Sequence, residues 1–112
     1  MERTLTSAAL SSMIANRADL TVLDVRRRPA FEADPQMIPG ALWRNPEEVA
    51  IWADSLNRNR SVVVYCVHGH EVSQEVVGRL RALGFQAALL DGGIEAWKAS
   101  GRSVSRTEVT TS

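Results

Sequence analysis

Short apolar runs alternate with amphipathic segments along this chain of 112 residues. The apolar runs are rich in Val and Leu and have the length of strands; they lie at 20–25, 41–43, 62–65 and 85–90. The amphipathic segments have helical spacing and lie at 8–14, 45–56, 75–83 and 94–100, with a further helical turn at 29–31. Because strands and helices alternate, the pattern predicts an α/β fold with a largely parallel sheet and helices on both faces.

The helix that begins near Asn45 has a strong start signal. Asn45 can cap it, a proline follows at the first position, and two carboxylates lie near its positive end. The residues expected to face the core from this helix are Val49, Ile51, Trp52 and Leu56. All three tryptophans of the chain, at 43, 52 and 97, lie amid apolar residues and are expected in the core.

The length suits a single domain that comprises residues 1–112. Its folded core is expected to run from about residue 5 to 101. The segment 102–112 is rich in Ser and Thr, and we expect it to form a frayed polar tail.

Composition and charge narrow the class of protein. The 13 basic and 13 acidic residues balance, so nothing favours nucleic acid or an anionic membrane as a partner. A single cysteine excludes an internal disulfide and a metal site built on a cysteine pair, and it fits a reducing compartment. The N-terminal residues lack a sustained apolar stretch, so we expect no signal peptide, no membrane span and a cytoplasmic location.

The single cysteine, Cys66, lies where the apolar run 62–65 ends and a loop leads toward a helix. Gly69 permits a tight turn in that loop, and both histidines of the chain, His68 and His70, fall within it. Ligands of open α/β sheets bind at the carboxyl ends of the strands, and a helix start biases a nearby thiol toward thiolate. A reactive thiol is therefore favoured over the alternative, in which Cys66 is a small buried hydrophobic residue.

Several segments, taken together from about residue 5 to 101, resemble a single-domain rhodanese. In chain order they are Leu23-Asp24-Val25-Arg26, Pro29-Ala30-Phe31, Ile38-Pro39-Gly40-Ala41, Val62-Val63-Val64-Tyr65-Cys66 with Gly69, Gly84-Phe85, and Leu90-Asp91-Gly92-Gly93-Ile94-Glu95-Ala96-Trp97. The resemblance implies a parallel five-stranded sheet between helices. It also implies that Cys66 carries a sulfane sulfur as a persulfide. Sulfur would pass from a donor such as thiosulfate or a persulfide to a thiol, to cyanide or to a protein acceptor, without metal or organic cofactor.

The chain departs from that family pattern at two places. Many single-domain members have Cys-x-x-Gly-x-Arg-Ser, whereas here Glu71 occupies the arginine position and Ser73 comes one residue late. A carboxylate in the loop should disfavour a dianionic donor such as thiosulfate. Many members also have a histidine before Ile-Pro-Gly-Ala, where this chain has Met37, a change expected to affect packing only.

The residues expected to serve the site surround Cys66 in sequence. The substrate-binding candidates are Val67, His68, Gly69, His70, Glu71 and Val72. Backbone N–H groups from 67 to 72 would stabilise a negative sulfur, and a protonated imidazole of His70 or His68 would add positive charge. Asp24, Arg26 and Ser73 are expected to support the loop, with Asp24 forming a structural ion pair with Arg26 in preference to facing the donor.

A reactive cysteine in such a loop can also serve functions other than sulfur transfer. A phosphatase with a cysteine loop needs an arginine six residues after the cysteine to clamp the phosphoryl oxygens, and Val72 stands there, so this function is rejected. Arsenate reduction of a rhodanese-like kind stays open, although the missing arginine disfavours it. A sulfur carrier or redox sensor without turnover also stays open.

Overall fold

The computed structural model of the protein describes residues 4–69 and 71–106. The strands are β1 (Thr4–Leu5), β2 (Leu20–Asp24), β3 (Gln36–Met37), β4 (Leu42–Trp43), β5 (Ser61–Tyr65), β6 (Ala87–Leu90) and β7 (Ser105–Arg106). The helices are α1 (Ser7–Ala15), α2 (Arg28–Ala33), α3 (Val49–Trp52), α4 (Glu71–Ala82) and α5 (Gly93–Ala99). Single 3₁₀ turns at Pro46–Glu48 and Ala53–Ser55 flank α3. No helix within the described ranges is long and apolar enough to cross a bilayer.

The main sheet has five strands in the order β1-β6-β5-β2-β4, and every neighbouring pair is parallel. This confirms the predicted α/β fold and its five-stranded parallel sheet. In the central pair, Leu20 lies opposite Ser61 and Asp24 lies opposite Tyr65. Strands β2 and β5 therefore end at the same level, which places the residues after Asp24 beside Cys66.

Alternating side chains of β5 fill two separate cores, one on each face of the sheet. Val62 and Val64 pack with the residues of α3 and α4, whereas Val63 and Tyr65 pack with α1, α2 and α5. All four side chains are fully buried, as the two-residue period of a strand covered on both faces requires. The prediction of helices on both faces is confirmed.

A buried ion pair links the end of β2 to its surroundings. Arg26 donates from Nε and Nη2 to the carboxylate of Asp24, and the shortest of these distances is 2.7 Å. The guanidinium also donates to the backbone oxygens of Asp34 at 2.8 Å and Gln36 at 2.9 Å. The Tyr65 hydroxyl donates to Asp24 Oδ2. The expected structural ion pair between Asp24 and Arg26 is therefore present.

The sequence pattern misplaced two features of the helices. Helix α4 begins at Glu71, four residues before the predicted start. Gly69, with a φ of +77°, allows the chain to turn just two residues before the helix begins. Helix α3 is a single turn that buries Val49 and Trp52, so Ile51 points to solvent and is 71% exposed. The prediction that Ile51 faces the core was wrong.

The C-terminal segment is more ordered than predicted. Strand β7 pairs antiparallel with β3, and Trp97 Nε1 donates to the backbone oxygen of Ser103 at 2.8 Å. The guanidinium of Arg102 lies 5.9 Å from the centre of the Trp97 ring. The expectation that the chain frays from Arg102 was wrong as far as residue 106, because β3 offers an unpaired strand edge; residues 107–112 lie outside the described part of the chain.

The Tyr65→Phe variant tests the buried network. Tyr65 accepts a hydrogen bond from the Ile38 N–H at 3.2 Å and donates one to Asp24 at 3.2 Å. Removing the hydroxyl leaves a buried N–H without its acceptor, and we expect the free energy of unfolding to fall by about 1–3 kcal/mol. Urea denaturation measures this difference.

Burial raises the pKa of Tyr65, so its hydroxyl stays protonated and the loss in Tyr65→Phe should be the same at neutral and mildly alkaline pH. An unchanged free energy of unfolding would show that the hydroxyl contributes nothing to the network.

Candidate active site

Cys66 follows the last residue of β5 and is nearly buried, with 7% of its surface exposed. Its Sγ lies 3.1 Å from the Oγ of Ser73, which α4 supplies from its first turn. Ser73 itself is fully buried. Although Ser73 comes one residue later than in the family pattern, the helix still brings its hydroxyl to the sulfur. When Cys66 is a thiolate, only the hydroxyl has a proton to donate between these two atoms.

The start of α5 holds the backbone of the cysteine loop. The N–H of Ile94 donates to the Cys66 carbonyl at 3.0 Å, and the N–H of Glu95 donates to the Val67 carbonyl at 3.1 Å. Because both peptide groups are trans, the N–H groups of Val67 and His68 point away from α5. The helix thus orients two of the loop amides that were expected to stabilise a negative sulfur.

Gly93 makes this close approach feasible. A Cβ at this position would lie 2.4 Å from the Cys66 carbonyl oxygen, and its φ of +61° also favours glycine. Sequence reasoning treated 91–93 as a turn and missed that it supports the cysteine loop. The signal was the paired glycine, whose second member leaves no room for a side chain.

Gly69 is equally constrained at the far end of the loop. Its φ is +77°, and a Cβ would lie 3.0 Å from the N of Gly92 and 3.1 Å from the oxygen of Leu90. The side chain of Gln74 donates to the Gly69 carbonyl at 3.2 Å. The far end of the loop therefore packs against the segment after β6 and is hydrogen-bonded to α4.

A cavity of about 610 Å³ opens above the cysteine. Among the described residues, its lining comprises Arg26, Arg27, Ala30, Cys66, Val67, His68, Glu71 and Val72. The structure thus brings together most of the side chains predicted from the sequence. Gly69 and Ser73 are buried behind the lining, and His70 lies outside the described residues. Asp24 does not line the cavity, because its carboxylate is fully buried against Arg26.

Sequence reasoning missed Arg27 and Ala30. Arg27 immediately precedes the first residue of α2, and Ala30 lies in the first turn of that helix. Their sequence distance from Cys66 hides the contact, which arises because β2 and β5 are adjacent and end at the same level. The run of three arginines at 26–28 was the available signal, and its members have different environments: Arg26 is buried, whereas Arg27 and Arg28 are exposed.

The chain belongs to the rhodanese-like domain family, whose model matches residues 6–100. It is 31% identical over 87 residues to the thiosulfate sulfurtransferase GlpE of Coxiella burnetii, which covers 77% of this chain and 78% of that protein. The rhodanese-related protein of Thermoplasma volcanium has a similar structure, with a TM-score of 0.80, 30% identity, and coverage of 93% of this chain and 98% of that one. The rhodanese-like domain of the Anabaena sp. Alr3790 protein gives a TM-score of 0.82, 31% identity, and coverage of 96% and 81%.

The Ser73→Ala variant tests the hydroxyl beside the sulfur. Because a hydrogen bond to a charged group contributes about 1.5–3 kcal/mol, its loss should raise the midpoint of the alkylation-rate profile of Cys66 by about one pH unit or more. Iodoacetamide alkylation measured against pH gives this midpoint.

The matched control is Ser100→Ala, which removes a hydroxyl that donates to the Trp97 carbonyl at the opposite end of α5 from the cysteine loop. Its alkylation profile should match that of the wild type. A Ser73→Ala profile that also coincides with the wild type would exclude a role of the hydroxyl in stabilising the thiolate.

Proposed function

We propose that this protein is a sulfurtransferase that moves a sulfane sulfur through a persulfide on Cys66. The observation that carries the proposal is the position of Cys66. It lines a cavity, its Sγ is hydrogen-bonded to Ser73, and it lies in a loop whose carbonyls accept hydrogen bonds from α5. Membership in the rhodanese-like family supports it, as does the similarity to a protein named thiosulfate sulfurtransferase.

The proposed reaction has two displacement steps. The Cys66 thiolate attacks the outer sulfur of a donor such as thiosulfate, the donor S–S bond breaks, and sulfite leaves with the electron pair. A thiolate or cyanide then attacks the outer sulfur of the Cys66 persulfide. The bond to Sγ breaks, and Cys66 is released as a thiolate. Each step exchanges one sulfur–sulfur bond for another bond to sulfur, so no external oxidant or reductant is needed.

Groups around the loop would stabilise the negative sulfur in both steps. The N–H groups of Val67 and His68 face away from α5, and α4 begins a few residues later, at Glu71. The Ser73 hydroxyl donates to the sulfur once Cys66 has lost its proton. The imidazole of His68 lines the cavity and would add positive charge when protonated. The same role for His70 remains a prediction from the sequence.

The Cys66→Ser variant tests the covalent step. No second thiol exists in the chain, so we expect this variant to fold like the wild type and to lose sulfur transfer completely. Intact mass spectrometry after incubation with thiosulfate should show the gain of one sulfur atom on the wild type only, and circular dichroism reports the fold.

Turnover is measured in the same samples after addition of cyanide or a thiol. A wild-type protein that gains sulfur but does not pass it on would be a carrier, whereas a wild-type protein that never gains sulfur would contradict the proposal. Appreciable transfer by Cys66→Ser would contradict it as well.

The Glu71→Arg variant tests donor selection. Glu71 lines the cavity, and replacing its negative charge with a positive one should increase the second-order rate constant for thiosulfate about fivefold at low ionic strength. The increase should shrink with added salt, because exposed charges are screened. An uncharged organic trisulfide should react at nearly the same rate with both proteins.

The control for overall charge is Glu75→Arg, since Glu75 lies one turn further along α4, pairs with Arg79 and does not line this cavity. Equal effects of Glu71→Arg on both donors would show that Glu71 does not determine which donor reacts. Its carboxylate would then serve only the start of α4, and the substitution would cost about 0.3–1 kcal/mol of stability.

A further inference from the structure

Two opposite charges flank the cavity above Cys66. Besides the cysteine, the ionisable lining residues among those that the structure describes are Arg26, Arg27, His68 and Glu71. The guanidinium of Arg26 already forms an ion pair with the buried Asp24 carboxylate and hydrogen bonds with two backbone carbonyls. The remaining fixed charges are therefore the cation of Arg27 and the anion of Glu71.

Arg27 and Glu71 are both exposed, and they come from different parts of the fold. Arg27 precedes α2, whereas Glu71 is the first residue of α4. Across residues 4–69 and 71–106, no ion pair within 4 Å engages either side chain, including one between the two. Both charges are thus available to a ligand that enters the cavity.

The rest of the lining suits an organic ligand. The side chains of Ala30, Val67 and Val72 add apolar surface to the same cavity. The volume of about 610 Å³ falls within the range of about 300–1,000 Å³ that is typical of sites for organic molecules, and it is larger than a small inorganic anion needs.

The charges indicate which organic ligand fits. A ligand that carries only negative charge is attracted by Arg27 and repelled by Glu71. A ligand that carries only positive charge is attracted by Glu71 and repelled by Arg27. A ligand with one carboxylate and one ammonium group satisfies both, and a carboxylate also matches the forked donors of a guanidinium.

Building on the sulfurtransferase function, we propose that the acceptor of the outer sulfur is a small zwitterionic thiol of the amino-acid type. Arg27 binds its carboxylate, Glu71 binds its ammonium group, and its thiol faces Cys66. The acceptor thiolate attacks the outer sulfur of the Cys66 persulfide, the bond from that sulfur to Sγ breaks, and Cys66 leaves as a thiolate. The product is the persulfide of the acceptor, and the proton of the acceptor thiol passes to solvent.

The experiment compares four small thiols that differ in charge. Cysteine carries both groups, 3-mercaptopropionate only the carboxylate, cysteamine only the ammonium group, and 2-mercaptoethanol neither. The protein is loaded with sulfur from thiosulfate and freed of donor, and the single-turnover rate of persulfide discharge is followed by intact mass. Rates are compared at equal thiolate concentration.

We expect cysteine to discharge the wild-type persulfide fastest. Arg27→Gln should slow discharge by cysteine and 3-mercaptopropionate about fivefold, speed discharge by cysteamine, and leave 2-mercaptoethanol unchanged. Glu71→Gln should slow discharge by cysteine and cysteamine by a similar factor, speed discharge by 3-mercaptopropionate, and leave 2-mercaptoethanol unchanged. These crossed patterns identify which residue binds which group.

The control variants are Arg28→Gln and Glu75→Gln, which remove the same charges from neighbouring residues that do not line the cavity. Arg28 instead lies over the Trp43 ring at 4.8 Å. Both controls should behave like the wild type with all four thiols.

The outcomes separate this inference from the function on which it rests. A wild-type protein that takes up no sulfur overturns the sulfurtransferase function and this inference with it. A protein that loads sulfur and discharges it to all four thiols at rates that neither Arg27→Gln nor Glu71→Gln changes overturns the inference alone. Preference for 2-mercaptoethanol over cysteine would also overturn it.

Discussion

The buried ion pair between Asp24 and Arg26 is the interaction on which the geometry of the site depends. The Asp24 carboxylate, fully buried, accepts hydrogen bonds from the Arg26 backbone N–H and guanidinium and from the Tyr65 hydroxyl. The guanidinium reaches the carbonyl of Gln36, and the carbonyl of Arg26 accepts from Trp43 Nε1 at 2.8 Å. Four separate segments are thereby fixed around the ends of β2 and β5.

The charges of this pair depend strongly on each other. Burial works against the charged form of Arg26, but the hydrogen bond and charge of Asp24 outweigh it, so the pKa of Arg26 lies above its ordinary value. Loss of either partner would leave the other charge buried and unpaired, at a cost of about 3–5 kcal/mol. The pair thus fixes the position of the neighbouring Arg27, whose own side chain remains at the cavity.

Much of the fold and the position of the thiol could be predicted from the sequence, because both depend on local patterns. Apolar runs located the central strands, and Cys66 directly after one of them placed it at the carboxyl edge of the sheet. The contributions of Arg27 and Gly93 could not be predicted, since they depend on which strands are neighbours and on how closely α5 approaches the loop. Ile51 was misassigned because a single helical turn has too few residues to show which side is buried.

The low exposure of Cys66 limits which molecules can reach its bare thiol. With 7% of its surface exposed, the bare thiol offers little area to a bulky reagent or to a cysteine of another protein. An added sulfur atom would extend about 2 Å beyond Sγ. Loading would therefore lengthen a recessed side chain until its end becomes reachable. If Cys66 carries sulfur as proposed, the unloaded protein would be shielded from mixed disulfides, and only the persulfide form would present sulfur to its surroundings.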